Sequence, residues 1–281
     1  MYILLALGSL ISFSSFNILI RKIAKDEDNP ETLGMLFTTI AGILSLPLLL
    51  LDDEIKIEKS YNSLWIIGSL IGWTIISLGL GITYKHIKAS TNTILGQTTS
   101  IFSLLIGVFI FSSEPSLISL FGISLIIFGN IYVFFKEADL PNRKAFILRI
   151  LLSLVFAITY AFDSKASQYY PQGLFIFIAY VIPGILLYFL VPKITIGSIK
   201  QMLIKYNLKL LLLGLFSLIG YLLLIKSYST DGELYIIIPI VNSQSLLTVI
   251  LSNIFLKEDS NILKVILGGI AASLGVILLA I

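Results

Sequence analysis

The residues best able to do chemistry in this sequence are amides and hydroxyls set inside apolar runs. Asn92, Gly96, Thr99, Ser100, Ser103 and Gly107 recur at steps of three and four, so a helix over 89–111 carries them as one small, polar stripe. Gln97 and Thr98 widen it. A second tract follows Pro239: Asn242, Ser243, Gln244 and Ser245 stand in a row, and Gln244, Thr248 and Ser252 continue at i, i+4, i+8. Proline lacks a backbone donor and leaves a carbonyl of the preceding turn free. A helix loosened beside amide side chains builds a polar site within a membrane, suited to holding a small polar molecule. For Ser103 and Gly107 the competing reading is close helix packing. The larger amides of Asn92 and Gln97 need partners, because a lone polar side chain in hydrocarbon is costly.

Composition narrows the chemistry further. The 281 residues include no cysteine and one histidine, His86. Disulfides, Cys-ligated metals, thiol nucleophiles and His-rich metal sites are therefore excluded, and no cofactor is implied. Only 12% of residues are charged and 57% are hydrophobic, against roughly 25% and 45–50% in soluble domains. With a mean hydropathy of +1.00, most of the surface must face lipid. A net charge of +3 is too small and too scattered for nucleic-acid binding. No G-x4-G-K-[ST] loop appears, so nucleotide-driven pumping has no support. An enzyme acting on a lipid-linked substrate would need clustered carboxylates, a His or Cys pair, or a metal site; none is present.

The elements that must position these residues are membrane spans. A hydrocarbon core of ~30 Å takes about 20 apolar residues per helix, and ten windows qualify: 2–24, 31–51, 63–84, 89–111, 116–136, 144–167, 173–191, 207–228, 233–256 and 261–280. The chain is thus expected to be an all-α polytopic membrane protein with mostly short links. Charges follow the first apolar run instead of preceding it, which makes that run a span and not a signal peptide. Of 19 Lys and Arg residues, 15 fall on the side of loops 1–2, 3–4, 5–6, 7–8 and 9–10, Arg149 counted among the flanks. The positive-inside rule then places both termini outside; the abundance of Ile, Lys and Asn over Ala and Arg, as in AT-rich prokaryotic genomes, makes a cell inner (plasma) membrane the expected address. Between spans seven and eight, Ile196, Ile199, Leu203 and Tyr206 have helical spacing, as in a short helix lying on the cytoplasmic surface.

A repeat relates the two halves. Ile110-Phe111-x-x-Glu114 followed by Gly122-x6-Gly129 reappears as Ile254-Phe255-x-x-Glu258 followed by Gly268-x6-Gly275. Five spans per copy is an odd number, so the second copy enters the membrane upside down, the inverted-topology repeat of secondary transporters. The boundaries are 1–138 and 139–281. Glu114 and Glu258, at helix ends, read as fixing the turn into the next span. Gly68-x3-Gly72 and the paired glycines read as packing contacts. Spans five and ten either tie the halves together or mediate a homodimer through their glycine-lined faces.

On this architecture and these tracts, the chain resembles the EamA-type branch of the drug/metabolite transporter superfamily. Two features depart from the pattern. A proline usual about thirteen residues before each glutamate is replaced by Ile101 and Ser245. Span one also lacks the embedded glutamate that small four-span relatives use for proton coupling, offering serines and Asn17 instead. The resemblance implies that spans one, three, six and eight supply the remaining walls of a substrate site, through Asn17, Trp73, Tyr160, Asp163 and Tyr221. Asp163 reads either as a site for an amine or proton or as an interfacial charge; Lys165 reads as a snorkelling cation, and Lys226 either as another or as a cation that attracts a substrate carboxylate. The expected function is secondary transport of small polar metabolites, amino acids or related compounds, by alternating access. A non-transporting receptor or assembly subunit of the same fold is the alternative.

Overall fold

The computed structural model describes residues 1–52, 62–134, 142–230, 232–258 and 262–280. Every regular element among them is helical. The first half contains α1 (Tyr2–Ala24), α2 (Pro30–Ser45, running on as a 3-10 turn over Leu46–Leu51), α3 (Asn62–His86), α4 (Ala89–Leu95), α5 (Thr98–Phe109) and α6 (Leu117–Phe134). The second contains α7 (Arg143–Ala166), α8 (Gln172–Leu190), α9 (Ile196–Tyr228), α10 (Leu234–Asn242), α11 (Gln244–Leu256) and α12 (Ile262–Ala280). Eight helical segments are long and apolar enough to cross a membrane, with α4–α5 and α10–α11 each counted as one; Leu117–Gly129 is a shorter apolar helix.

Burial is arranged for lipid. Ile11, Ile67, Ile71, Phe128 and Ile147 are exposed, while Ser9, Asn17, Thr99, Ser153 and Thr248 are buried. Hydroxyls on the inner faces hold the helices together where no hydrophobic force can act between them. Ser9 Oγ donates to Gly220 O at 2.8 Å and Ser12 Oγ to Phe216 O at 2.7 Å, joining α1 to α9. α3 packs against α7, as α1 does against α9, and α2 lies against α8.

The helix ends follow local rules. Asn142 Oδ1 accepts from the Lys144 and Ala145 amides and starts α7. Thr195 and Ser198 form a reciprocal capping box at the start of α9, satisfying donors that the first turn would leave unpaired. The stretch Ile196–Tyr206 is helical and bends into the eighth expected span at Asn207, whose φ of 4° and ψ of −89° break the helix. Met202 and Tyr206 are its buried positions, and Ile196, Leu203 and Ile204 are exposed. Tyr206 Oη donates to Glu27 Oε1 at 2.6 Å and ties this segment to the link between α1 and α2.

α6 and α12 pack closely at Gly122 and Gly275. A β-carbon on Gly122 would stand 2.9 Å from Gly275 O, and one on Gly275 would stand 2.5 Å from Gly122 O. Only hydrogen fits in that gap. At these two glycines the close approach is within the chain, between α6 and α12.

Candidate functional site

Two helices are interrupted in mid-course, and the polar tracts lie at the interruptions. α4 stops at Leu95 and α5 begins at Thr98. Across this gap the Gln97 amide donates to Ile94 O and the Ser100 amide to Gln97 O, the tighter three-residue pattern of a 3-10 turn. Carbonyls left with spare capacity are taken up by side chains. Arg149 Nε donates to Asn92 O at 3.0 Å, and the Thr98 hydroxyl donates to Leu95 O at 2.8 Å. The expected continuous stripe is therefore split between two short helices.

The second interruption separates α10 from α11 at Ser243. Pro239 lies inside α10, so the break comes four residues after the proline and not in the turn before it. The reason is the set of partners waiting there. Gln97 Nε2 donates to Asn242 O, Ser243 Oγ donates to Pro239 O at 3.0 Å, and Ser14 Oγ donates to Gln244 O at 3.2 Å. Each interrupted span thus has its exposed backbone answered by a neighbour, as irregular structure within a membrane requires.

Between the interruptions and helices α1, α3 and α7 lies a cavity of about 60 Å³, room for roughly four or five waters. Its polar wall includes Asn17, Tyr84, Arg149, Ser217, Asn242 and Gln244, and its aromatic wall includes Phe16, Phe37, Trp73, Phe156 and Tyr160. Asn17 is held from three directions. Its amide donates to Gln244 Oε1 at 3.0 Å and Thr248 Oγ1 at 3.4 Å, and its Oδ1 accepts from Tyr84 Oη at 2.6 Å. Trp73 stands edge-on to Tyr221, Tyr160 and Phe156 at centroid distances of 5.0–6.0 Å.

Asp163 is fully buried and is neither an interfacial charge nor part of the cavity wall. Its Oδ1 accepts from Ser69 Oγ at 2.5 Å and its Oδ2 from Trp73 Nε1 at 3.0 Å. It stands behind Trp73 and fixes the indole that faces the cavity. Of the residues expected at the site, Asn17, Trp73, Tyr160, Asn242 and Gln244 line the cavity. Gln97 is one layer back, turned toward Asn242 and Ser245. Asn92 is buried behind α4, and both its side-chain amide atoms lack a partner within the described residues. Tyr221 sits beyond Trp73, against Tyr180.

The two ends of the site differ. At one end Glu258, just past α11, binds Arg21 Nε at 3.2 Å and accepts from the Ala89 and Ser90 amides at 3.2 and 3.4 Å. Arg21 also donates to the carbonyls of Tyr84 and Lys85 at 2.6 and 2.9 Å. Four helices, α1, α3, α4 and α11, are thereby clasped together. At the opposite end a wider pocket of about 300 Å³ is lined by Phe111, Ser113, Lys165, Tyr228 and Glu233 among others. Lys165 Nζ lies 4.6 Å from the centre of the Phe111 ring. Among the described residues no ion pair joins Lys165 to Glu114.

The EamA-like transporter family model matches residues 1–135 and 143–281. The chain belongs to the EamA-like transporter family. It is accordingly a multi-pass membrane protein of the drug/metabolite transporter superfamily, whose members in this family are transporters and not enzymes. No curated protein matches. A solved structure described only as the crystal structure of a protein superimposes with a TM-score of 0.74 at 11% identity, covering 100% of this chain and 98% of that one. At that identity the likeness speaks for the fold alone.

Among the cavity residues not expected from the sequence, Arg149 is the most consequential. It was counted with the cations flanking a span, yet it lies six residues into α7, ~9 Å along the axis at 1.5 Å per residue, and is 7% exposed. Without it the flank count falls from 15 to 14 of the remaining 18 cations, and the bias keeps its sign. One signal was available: Ser153 and Phe156, at i+4 and i+7, share its helix face. Nη1 donates to Ser153 Oγ at 3.1 Å, and the guanidinium lies 5.6 Å from the Phe156 ring centre.

Proposed function

We propose that this EamA-like transporter is a secondary transporter, an exporter or facilitator that moves small polar metabolites, amino acids or related compounds, by alternating access. The observation that carries the reading is the meeting of two interrupted spans, α4–α5 and α10–α11, at a cavity walled by amides and aromatic rings. Discontinuous helices facing a polar pocket are a recurrent way to hold and release a solute in mid-membrane.

In this proposal ten spans form two inverted halves, 1–138 and 139–281. Pairing span one with six and span three with eight makes the α1–α9 and α3–α7 contacts the same contact seen twice. Spans four and nine are interrupted alike, and Glu114 takes the place of Glu258. The Arg21–Glu258 clasp then marks a closed face, and the Lys165 pocket an open one. Rocking of the halves would release Glu258 and bring Lys165 toward Glu114. With both termini outside an inner membrane, the closed face is cytoplasmic.

Counterflow in proteoliposomes tests this. A panel of labelled amino acids is offered to the wild-type protein and to Asn242→Ala and Gln97→Ala. Uptake by wild type that falls in both folded variants is the expected result. Silence across the panel would overturn the amino-acid class and favour a receptor or assembly role. Uptake indifferent to both substitutions would remove the site from this cavity.

A further inference from the structure

Arg149 is a buried cation that has no counter-ion among the described residues. The ion pairs among the described residues join Arg21 to Glu258, Lys193 to Glu31 and Lys205 to Glu27, and none reaches Arg149. Its partners are neutral: Asn92 O, Ser153 Oγ and the face of Phe156. Those bonds use two of the five guanidinium N–H groups. Its Nη2 lies against Gly96, where a β-carbon would come within 2.1 Å. A residue with any side chain at position 96 would push the guanidinium out of this seat.

Among the described residues that line it, the cavity of Arg149 has no carboxylate; its other polar side chains are amides, hydroxyls, phenols and the Trp73 indole. The buried acid Asp163 is committed to Ser69 and Trp73 and is not part of the wall. An unpaired charge in a membrane interior is costly, and such residues mark the paths of charged solutes. A second observation points the same way. The Asn92 side chain, fully buried beside the carbonyl that holds Arg149, leaves both its oxygen and its nitrogen without a partner. The wall therefore carries one net positive charge, and unmet hydrogen-bonding capacity lies behind it at Asn92.

We propose that Arg149 binds the carboxylate of the transported molecule, and that the site selects on that carboxylate and not on an amine. The guanidinium fork matches a carboxylate in two parallel bonds. The rings of Phe16, Phe37, Trp73 and Phe156 receive the apolar body of the same molecule. No acid stands ready for an ammonium, so 2-oxo acids and simple carboxylic acids bind as well as the matching amino acids. Amines and amides of the same skeleton do not. This rests on the transporter reading for its physiological meaning, but the binding itself does not depend on transport.

The test is equilibrium binding to the purified full-length protein in detergent, read by Trp73 fluorescence in a Trp65→Phe background. The probes are two matched series: leucine, 4-methylpentanoate, 3-methylbutylamine and leucinamide; and phenylalanine, 3-phenylpropanoate, phenethylamine and phenylalaninamide. Both acids and amino acids are expected to change the signal, and the amines and amides not. Arg149→Gln should weaken the acids by roughly thirtyfold or more, the effect of removing one partner of a buried charge pair. Arg149→Lys, which keeps the charge and loses the fork, should fall between. Gly96→Ala displaces the guanidinium without removing it and should reproduce part of the loss, which guards against misfolding of the Gln variant. Binding of amines in preference to acids, absence of any acid response in wild type, or acid binding unchanged in Arg149→Gln would each overturn the proposal. Acid binding without counterflow would instead overturn the transporter reading and leave this one standing.

Discussion

The Gln97 side-chain amide donates to the main-chain oxygen of Asn242, and the Asn242 side chain in turn donates to Ser100 at 2.9 Å. Two interrupted helices thus repair each other. Each amide answers a group on the other span, so the two bonds form one unit and not two independent contacts. Gln97→Leu and Asn242→Ala should each cost about 1–2 kcal/mol of stability, the upper part of the range for polar contacts between membrane helices. The double variant should lose clearly less than the sum. Thermal unfolding of the four proteins in one detergent checks this; strict additivity would show that the two residues act separately.

Glu258 takes a cation and two backbone amides at once, from α1 and the first turn of α4. If this clasp holds one face shut, loosening it must admit solutes to the cavity from that side. The chain has no cysteine, so one introduced at the cavity residue Thr93 is the sole thiol. In a Thr93→Cys background, Glu258→Gln and Arg21→Gln should raise labelling by a membrane-impermeant thiol reagent about tenfold from the clasped face. That figure corresponds to about 1.4 kcal/mol of lost closure. Labelling rates equal to the parent would reduce the clasp to an ordinary helix-end contact.

Much of this was legible in the sequence, because a membrane writes spans as runs of apolar residues. The expected limits 2–24, 144–167 and 233–256 fall within one residue of α1, α7 and the α10–α11 pair. Asn17, Asn242 and Gln244 were legible for the same reason: a polar group within such a run must turn inward. Arg149 was not, since a cation near a span end also fits the flank of a helix. Ser153 and Phe156 on its helix face were the one local hint, and the seat against Gly96, 53 positions earlier in the chain, leaves none. The reach of Glu258 to Arg21 and Ser90 was hidden likewise, because long-range partners leave no local trace. Nor does spacing tell that Asp163 is spent on Ser69 and Trp73.

Asp163 orients Trp73, so its substitutions should track the indole. Asp163→Asn keeps an acceptor for one of the two donors; Asp163→Leu keeps none and strands both. Losses of about 1–2 and 2–4 kcal/mol are expected in that order, one and two buried donors left unpaired. Trp73 emission should shift and counterflow should decline in step, with Trp73→Phe lowering counterflow in an otherwise unaltered Asp163 protein. A proton carrier would behave differently: Asp163→Asn would abolish substrate-driven proton movement while leaving exchange intact. Measuring both fluxes in one vesicle preparation separates the roles.

Tyr84 stands between the clasp and the cavity and serves each with a different part of itself. Its carbonyl accepts from Arg21 at 2.6 Å, and its hydroxyl donates to Asn17 Oδ1 at 2.6 Å. Tyr84→Phe removes only the second bond and leaves the main-chain link to Arg21 in place. Asn17 then keeps its bonds to Gln244 and Thr248 but loses the donor that fixes its oxygen. Half-saturation in counterflow should rise about three- to tenfold, equivalent to roughly 0.7–1.4 kcal/mol. Labelling of the Thr93→Cys reporter from the clasped face should not change, because the clasp uses the Tyr84 backbone. If labelling rises as it does for Glu258→Gln, the hydroxyl is part of the closure, and the division between binding by the side chain and closing by the main chain fails.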